Sequence, residues 1–92
     1  MEKKRNRLEI IRDILIVINE KNGKVKPTHI LYKANLSHIL MTEILNELIQ
    51  KNFIKEIRNK NSKSYAITDK GLDYLKQYSL IDNFTTFFGI DS

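Results

Sequence analysis

The sequence contains no cysteine. A chain without thiols has no disulfide framework and no thiolate metal site, which fits a reducing cytoplasm. No apolar run approaches the roughly eighteen residues that a membrane-spanning helix requires. A signal peptide needs an uninterrupted apolar core, whereas the first apolar-periodic segment is interrupted by Glu9, Arg12 and Asp13. We therefore expect a cytoplasmic protein.

Residues that support catalysis or cofactor binding are also scarce. The three glycines are scattered and form no phosphate-binding loop, and no serine or cysteine nucleophile motif is present. The two histidines, His29 and His38, fall on different predicted helices, with no carboxylate at a metal-ligand spacing. The sequence therefore predicts a non-enzymatic protein with no catalytic residue, no metal site and no cofactor.

The 92 residues suffice for one domain of ordinary globular composition, with 41% hydrophobic and 29% charged residues. The net charge of +5 is unevenly distributed. Residues 1–26 carry +4 and residues 53–70 carry +3, whereas residues 27–52 are neutral and residues 71–92 carry −2. Positive potential gathered in two segments suits a surface that binds a polyanion.

The strongest helical pattern lies between Asn35 and Ile54. Ser37 is placed to cap the helix, because its hydroxyl can accept a hydrogen bond from a first-turn N–H. Asn52 occupies the exit, and asparagine tolerates the left-handed conformation found there. Apolar residues at spacings of three and four predict one buried face, formed by Met41, Ile44, Leu45, Leu48 and Ile49.

Two shorter helices precede this one. The first spans residues 5–21, and Asn22-Gly23 is a stop and turn signal. Residues 24–26 form a minimal strand, and a second helix follows over residues 28–34. The wide apolar face of the first helix is explained either by the core or by a share in a dimer interface. Its members are Leu8, Ile10, Ile11, Ile14, Leu15, Val17 and Ile18.

A hairpin and a further helix complete the pattern. Residues 53–57 and 64–67 are rich in strand-forming side chains, and the segment RNKNSK predicts a long, exposed, flexible loop between them. Thr68 caps another helix, with Leu72 and Leu75 facing inward. The order of elements predicts an α+β fold that is mostly α, namely a winged helix-turn-helix with a three-helix core, a two-stranded β-hairpin wing and a C-terminal helix.

We expect a winged-helix domain over residues 1–78 and an apolar tail over residues 79–92. So many large apolar side chains would form an unusually large exposed patch on a monomer. The tail therefore either folds back on the domain or meets a second subunit, and we favour a dimer interface. The residues predicted for that interface are Leu80, Ile81, Phe84, Phe87 and Phe88.

Several strings resemble one known family, the small archaeal winged-helix DNA-binding proteins. They are LEIIRDIL at 8–15, ANLS at 34–37, the spaced leucines of the long helix with its exit into FI, and YAITDKG at 65–71. The likeness covers residues 5–78. It implies a winged helix that dimerises through its C-terminal region and binds double-stranded DNA. The chain departs from members with a long coiled-coil helix, because Gly89 and the clustered phenylalanines keep no heptad.

The long helix and the predicted wing carry the candidate DNA-binding residues. On the helix these are Ser37, His38, Ile39, Thr42 and Asn46, which can contact phosphates, base edges and thymine methyl groups. Glu43 and Glu47 on the same helix would repel phosphates. On the wing they are Lys55, Arg58, Lys60 and Lys63, whose charge favours salt-dependent phosphate binding. For both sets the alternative is an ordinary solvated surface.

A second basic cluster at the N-terminus includes Lys3, Lys4, Arg5 and Arg7. It is either an arm that contacts DNA, chiefly through Lys4 and Arg5, or an incidental charged run. The sequence thus favours a homodimeric, nucleoid-associated DNA-binding protein or transcriptional regulator of archaeal type, with its long helix in the major groove. The alternative is a winged-helix module for protein–protein interaction, which the apolar Ile39 and Leu40 on the exposed helix suggest.

Overall fold

Four helices and one antiparallel hairpin make up the protein, for which the computed structural model describes residues 4–90. A single bridge between Val25 and Tyr65 adds a minimal strand beside the hairpin. These observations confirm the predicted α+β, mostly α winged helix-turn-helix. The elements are α1 (Arg7–Glu20), α2 (Pro27–Lys33), α3 (His38–Gln50), β1 (Ile54–Asn59), β2 (Ser62–Ile67) and α4 (Asp69–Phe88).

Local signals in the sequence determine where the helices begin and end. The Ser37 hydroxyl accepts a hydrogen bond from the Leu40 N–H at 3.2 Å, and the Thr68 hydroxyl accepts one from the Gly71 N–H at 3.1 Å. Both helix caps were predicted. Asn52, at the exit of α3, has a φ of 63°, in the left-handed region that asparagine tolerates. The boundaries of α3 and the start of α4 are therefore encoded by neighbouring residues.

The core lies between α1, α2, α3 and the base of the hairpin. The buried face of α3 is the predicted one, with Ile49 packed at its edge. Leu8, by contrast, was predicted to face inward on α1 but is 58% exposed. Apart from Tyr65, all the buried hydrophobic residues are non-aromatic: Ile11, Ile14, Leu15, Val17, Ile18, Val25, Ile30, Ala34, Met41, Ile44, Leu45, Leu48, Ile54 and Ile67.

Helix α4 has a packed half and an exposed half. In the first half Tyr74 packs against the core, and its hydroxyl donates a hydrogen bond to the Leu8 carbonyl at 3.0 Å. Leu75 also packs inward, whereas Leu72, predicted to do so, is 42% exposed. The helix continues without interruption past residue 78 and ends at Gly89 in the left-handed conformation. Its projecting end contributes to the elongated dimensions of 50 × 30 × 21 Å.

Within residues 4–90, no helix combines the length and the apolar character that crossing a membrane requires.

Candidate nucleic-acid interface

Helix α3 presents a largely uncharged face to solvent. Because Met41, Leu45 and their neighbours are buried, His38, Ile39, Thr42 and Asn46 are exposed. Ile39 is 80% exposed, which is unusual for an isoleucine on a well-packed helix. The Thr42 hydroxyl donates a hydrogen bond to the His38 carbonyl at 2.9 Å, which leaves its lone pairs free to accept. The structure therefore brings these four predicted DNA-binding residues together on one exposed side of the helix.

The two carboxylates of α3 are paired within the domain. Glu47 forms an ion pair with Arg7 of α1, and its other oxygen lies 2.9 Å from the Lys51 ammonium. The Glu43 carboxylate lies 3.8 Å from the same Arg7 guanidinium. Sequence reasoning treated both acids as repulsive to phosphate and Arg7 as part of a basic arm. The pairing offsets their negative charge and so reduces the repulsion that these carboxylates would exert on phosphates.

The wing is a paired ribbon and not the predicted flexible loop. The strands stay in register out to Arg58 opposite Lys63 and Asn59 opposite Ser62. Only Lys60 and Asn61 remain between them, and Lys60 adopts a positive φ of 29°. The prediction of a long loop was wrong because polar side chains were taken to exclude pairing. Strand pairing depends on backbone hydrogen bonds, which exposed lysine and asparagine residues also form.

The ribbon separates the four predicted wing cations. Successive side chains of a strand point to opposite faces. Arg58 and Lys63 therefore lie on the face that carries Glu56 and Tyr65, and they line a cleft against α3. Lys55 lies on the opposite face, and Lys60 lies at the tip. Only two of the four cations thus share a surface with the reading helix.

Glu56 is the one carboxylate that lines this cleft. Its Oε2 lies 3.5 Å from the Arg58 Nε, and its Oε1 lies 3.5 Å from the Lys63 Nζ. The Glu56 side chain is 26% exposed, so it is partly shielded by the groups around it. Sequence reasoning missed this residue because the cross-strand register that brings the three charges together is not visible in the sequence. Glu56 offsets part of the positive charge of the wing.

The cleft between α3 and the ribbon has a volume of about 350 Å³. Its floor includes Tyr65, whose pKa is raised above the ordinary value by burial and further by the Glu56 carboxylate. The phenol is therefore neutral at physiological pH. The residues that line the cleft are Pro27, His38, Met41, Thr42, Leu45, Asn46, Ile49, Glu56, Arg58, Lys63 and Tyr65.

The N-terminal cluster divides into structural and solvent-facing residues. The Arg5 guanidinium lies 2.8 Å from both an Asp13 oxygen and the Ala34 carbonyl, and 2.9 Å from the Asn35 carbonyl. Arg5 thus ties α1 to the end of α2 and is not available as the predicted phosphate contact. Lys4 is exposed, whereas Lys3 lies outside the described residues.

The predicted dimer residues form one exposed surface along the free half of α4, which we call the α4 apolar surface. Its members recur at spacings of three and four, so they share a helical face. The Phe84 and Phe88 rings are 4.8 Å apart, and those of Phe87 and Phe88 are 4.9 Å apart. Each residue is at least 55% exposed, and none folds back on the domain: Leu80, Ile81, Phe84, Phe87 and Phe88.

Comparisons with known proteins support the architecture. A family model described as winged helix-turn-helix matches residues 4–86. No curated protein sequence matches the chain. Among solved structures, Sso10a-2, a DNA-binding protein from Sulfolobus solfataricus, has a TM-score of 0.74 at 22% identity, covering 92% of this chain and 87% of that one. The likeness confirms the predicted resemblance to small archaeal winged-helix proteins.

Two further structures have the same fold. SSV1 F-93 has a TM-score of 0.67 at 20% identity, and the match covers 96% of both chains. MarR from E. coli has a TM-score of 0.66 at 16% identity, and the match covers 89% of this chain but 62% of MarR. At such identities the likeness defines the fold, while the function has to be argued from the surface of the domain.

Proposed function

Because the chain belongs to the winged helix-turn-helix family, we propose that it binds double-stranded DNA as a homodimer, in a regulatory or nucleoid-associated role in the cytoplasm. The observation that carries the proposal is the cleft in which the uncharged face of α3 meets the cations of the ribbon. A helix with small polar residues at its exposed N-terminal end suits the major groove. Basic residues beside it suit the flanking phosphates.

Base reading falls to the exposed residues of α3. Asn46 can form paired hydrogen bonds with an adenine edge, Thr42 can accept a hydrogen bond, and Ile39 can contact a thymine methyl group. Ser37 and His38, at the start of the helix, lie where a phosphate of the same groove would pass. Because this face carries few charged groups, we expect it to contribute a modest sequence preference and little of the affinity.

Phosphate binding falls to Arg58, Lys60 and Lys63 on the ribbon, with Lys55 on its reverse face and Lys4 as further contacts. Each neutralised phosphate releases counterions, so the logarithm of affinity falls by about 0.9 per contact for each unit in the logarithm of salt concentration. Binding that weakens steeply with salt is therefore the signature of the proposed mode.

Fluorescence anisotropy with a labelled duplex tests the proposal at about 50 and 200 mM salt, the range over which such contacts change affinity most visibly. We expect binding at low salt that weakens as salt rises. The variant R58Q/K60Q/K63Q should bind more weakly and with a smaller salt dependence. K76Q, which removes an exposed charge on α4, is the control and should bind as the native protein does. Absence of binding at low salt would refute DNA binding.

The homodimer is proposed from the α4 apolar surface. Full burial of each large apolar side chain is worth about 1.5–3 kcal/mol, so five such residues supply a strong drive to associate. Leu8 of α1, Ile81 and Tyr78 line an adjoining small cleft, which extends the same surface onto the domain. A two-fold axis through this surface would bring the same residues of both copies into contact.

Sedimentation equilibrium tests the dimer independently of DNA. The native chain should sediment as a dimer, and F84S/F87S should sediment as a monomer with unchanged helix content, because neither ring packs against the core. A native monomer at high protein concentration would contradict the dimer and leave DNA binding to stand alone.

The exposed Ile39 supports a second candidate, a protein partner docked on α3. Leu40 beside it is only half-buried, so the two residues offer an apolar contact. The variant I39S separates the two functions. It should preserve the salt dependence of DNA binding, which comes from phosphates, whereas it should abolish binding of a protein partner on this face.

A further inference from the structure

The loop between α1 and α2 carries three lysines that no candidate site above includes. Lys21, Lys24 and Lys26 line an open cleft of about 420 Å³ together with residues of α2. The cleft lining contains three ammonium groups and no carboxylate. Tyr32, on its other side, is 76% exposed and presents a hydroxyl to solvent. The chemistry of this cleft matches an anion with several exposed oxygens.

Within residues 4–90 these ammonium groups have no internal partner, a property that they share with Lys4, Lys33, Lys55, Lys60 and Lys76 but with none of the arginines. Each of the four arginines has an acidic partner within 4 Å: Asp13 for Arg5 and Arg12, Glu47 for Arg7, and Glu56 for Arg58. Within residues 4–90, by contrast, the ammonium groups of Lys21, Lys24 and Lys26 form no ion pair and no hydrogen bond. Their full charge is therefore available to a ligand.

Hydrogen bonds to β2 hold the loop in a fixed position. The Ile67 N–H donates to the Asn22 side chain at 2.8 Å, and the Gly23 N–H donates to the Tyr65 carbonyl at 2.9 Å. The Ser64 hydroxyl donates to the Gly23 carbonyl at 3.0 Å. Gly23 has a φ of 84°, which a residue with a side chain rarely adopts. These hydrogen bonds fix the position of the lysine loop relative to β2.

The lysine cleft adjoins the cleft between α3 and the ribbon. Pro27 lines the α3 cleft, while its chain neighbours Lys26 and Thr28 line the lysine cleft. Consecutive Cα atoms are about 3.8 Å apart, so the linings of the two clefts meet at this turn of the chain. A DNA duplex presents a continuous chain of phosphates long enough to touch both.

We propose that Lys21, Lys24 and Lys26 form a second phosphate-binding surface, which contacts the sugar–phosphate backbone of the duplex that α3 and the ribbon bind. The proposal rests on the proposed function and adds to it. It assigns to this loop a larger share of the salt-dependent affinity than to Arg58 and Lys63, because those two share the negative charge of Glu56. Lysine ammonium groups contact phosphate oxygens as point charges and carry no base information.

The test compares K21Q/K24Q/K26Q with R58Q/K63Q in salt titrations of DNA affinity. The loop variant should lower the slope of log affinity against log salt by about two to three, following about 0.9 per lost phosphate contact. The ribbon variant should lower it by less. K21Q, K24Q and K26Q, taken singly, are compared with the single control K76Q. Circular dichroism should show native folding, since all the replaced side chains are exposed.

Phosphate ethylation interference supplies a second readout. Native protein should show a group of sensitive phosphates that the loop variant no longer shows. A loop variant with native affinity and slope would overturn the inference while the proposed function stands. If the native protein does not bind DNA, the proposed function fails, and the inference fails with it.

Discussion

Arg7 on α1 forms an ion pair with Glu47 on α3 across forty positions of sequence. The same guanidinium lies near Glu43, so one residue of the first helix offsets the negative charge of the helix proposed to read DNA. Lys51 shares the task one turn further along α3. The helix proposed to read DNA therefore presents little net charge, although its sequence is acidic.

Replacing Arg7 by glutamine tests this role. Its partner Glu47 would lose an ion pair, and unfolding free energy should fall by about 0.2–1 kcal/mol, as for other solvent-exposed pairs. DNA affinity should fall more clearly, because Glu43 would then lack a partner and Glu47 would keep only Lys51 beside the phosphates. Anisotropy titration and urea unfolding measure the two effects. R12Q, which removes an equal charge away from α3, is the control, and equal affinities of the two variants would contradict the role.

Glu56 should limit the affinity of the wing. Replacing it by glutamine keeps the side-chain shape but frees Arg58 and Lys63 from their shared counterion. We expect E56Q to bind DNA several-fold more tightly at low salt, with a salt slope steeper by up to about one. E9Q, at the capped start of α1, is the control for loss of one negative charge. Weaker binding by E56Q would show that the carboxylate chiefly positions the two cations.

Gly71 should tolerate no side chain. A Cβ at this position would lie 2.4 Å from the Phe53 carbonyl oxygen and 2.6 Å from the Ile67 Cγ1. Both neighbours are held by packing, so G71A should lose roughly 1–3 kcal/mol of stability by overpacking. In a domain of this size each kcal/mol lowers Tm by about 4–8 °C. Calorimetry at fixed protein concentration measures the change in Tm, with Q77A on the exposed side of α4 as the control.

The raised pKa of Tyr65 predicts a stability difference at high pH. The unfolded phenol titrates near its ordinary pKa of 10.0, whereas the folded one keeps its proton to higher pH. The contribution to stability is therefore fully present below pH 10 and is lost as the pH rises through the folded pKa. Urea unfolding at pH 8 and about pH 11 should show a larger loss for the native protein than for Y65F. Parallel losses would contradict the assignment.

Features that depend on neighbouring residues were predictable from the sequence. The caps at Ser37 and Thr68, the exit at Asn52 and the buried face of α3 each follow from residues within about two turns. The minimal strand at Val25 was expected from the short extended segment 24–26 between the first two helices.

Features that depend on long-range geometry were not predictable. The contacts of Arg5 with Ala34 and of Arg7 with Glu47 join segments that only the packing of α1 against α2 and α3 brings together. The division of the wing cations depends on the strand register, and the sequence of a polar ribbon specifies register weakly. The sequence therefore showed which segments of the chain are basic, but not which face of the hairpin each basic side chain occupies.

The register of the hairpin also limits how the wing can change in length. Side chains alternate between faces with a period of two. One residue added to β1 between Ile54 and Arg58, with one added to β2 between Lys63 and Ile67, would therefore turn Arg58 and Lys63 away from α3. Two added residues in each strand would keep them facing it and lengthen the ribbon by about 7 Å. That length matches about two base steps along B-DNA. In related proteins with longer wings, the DNA contacts of the wing would then shift in units of about two base steps and not continuously.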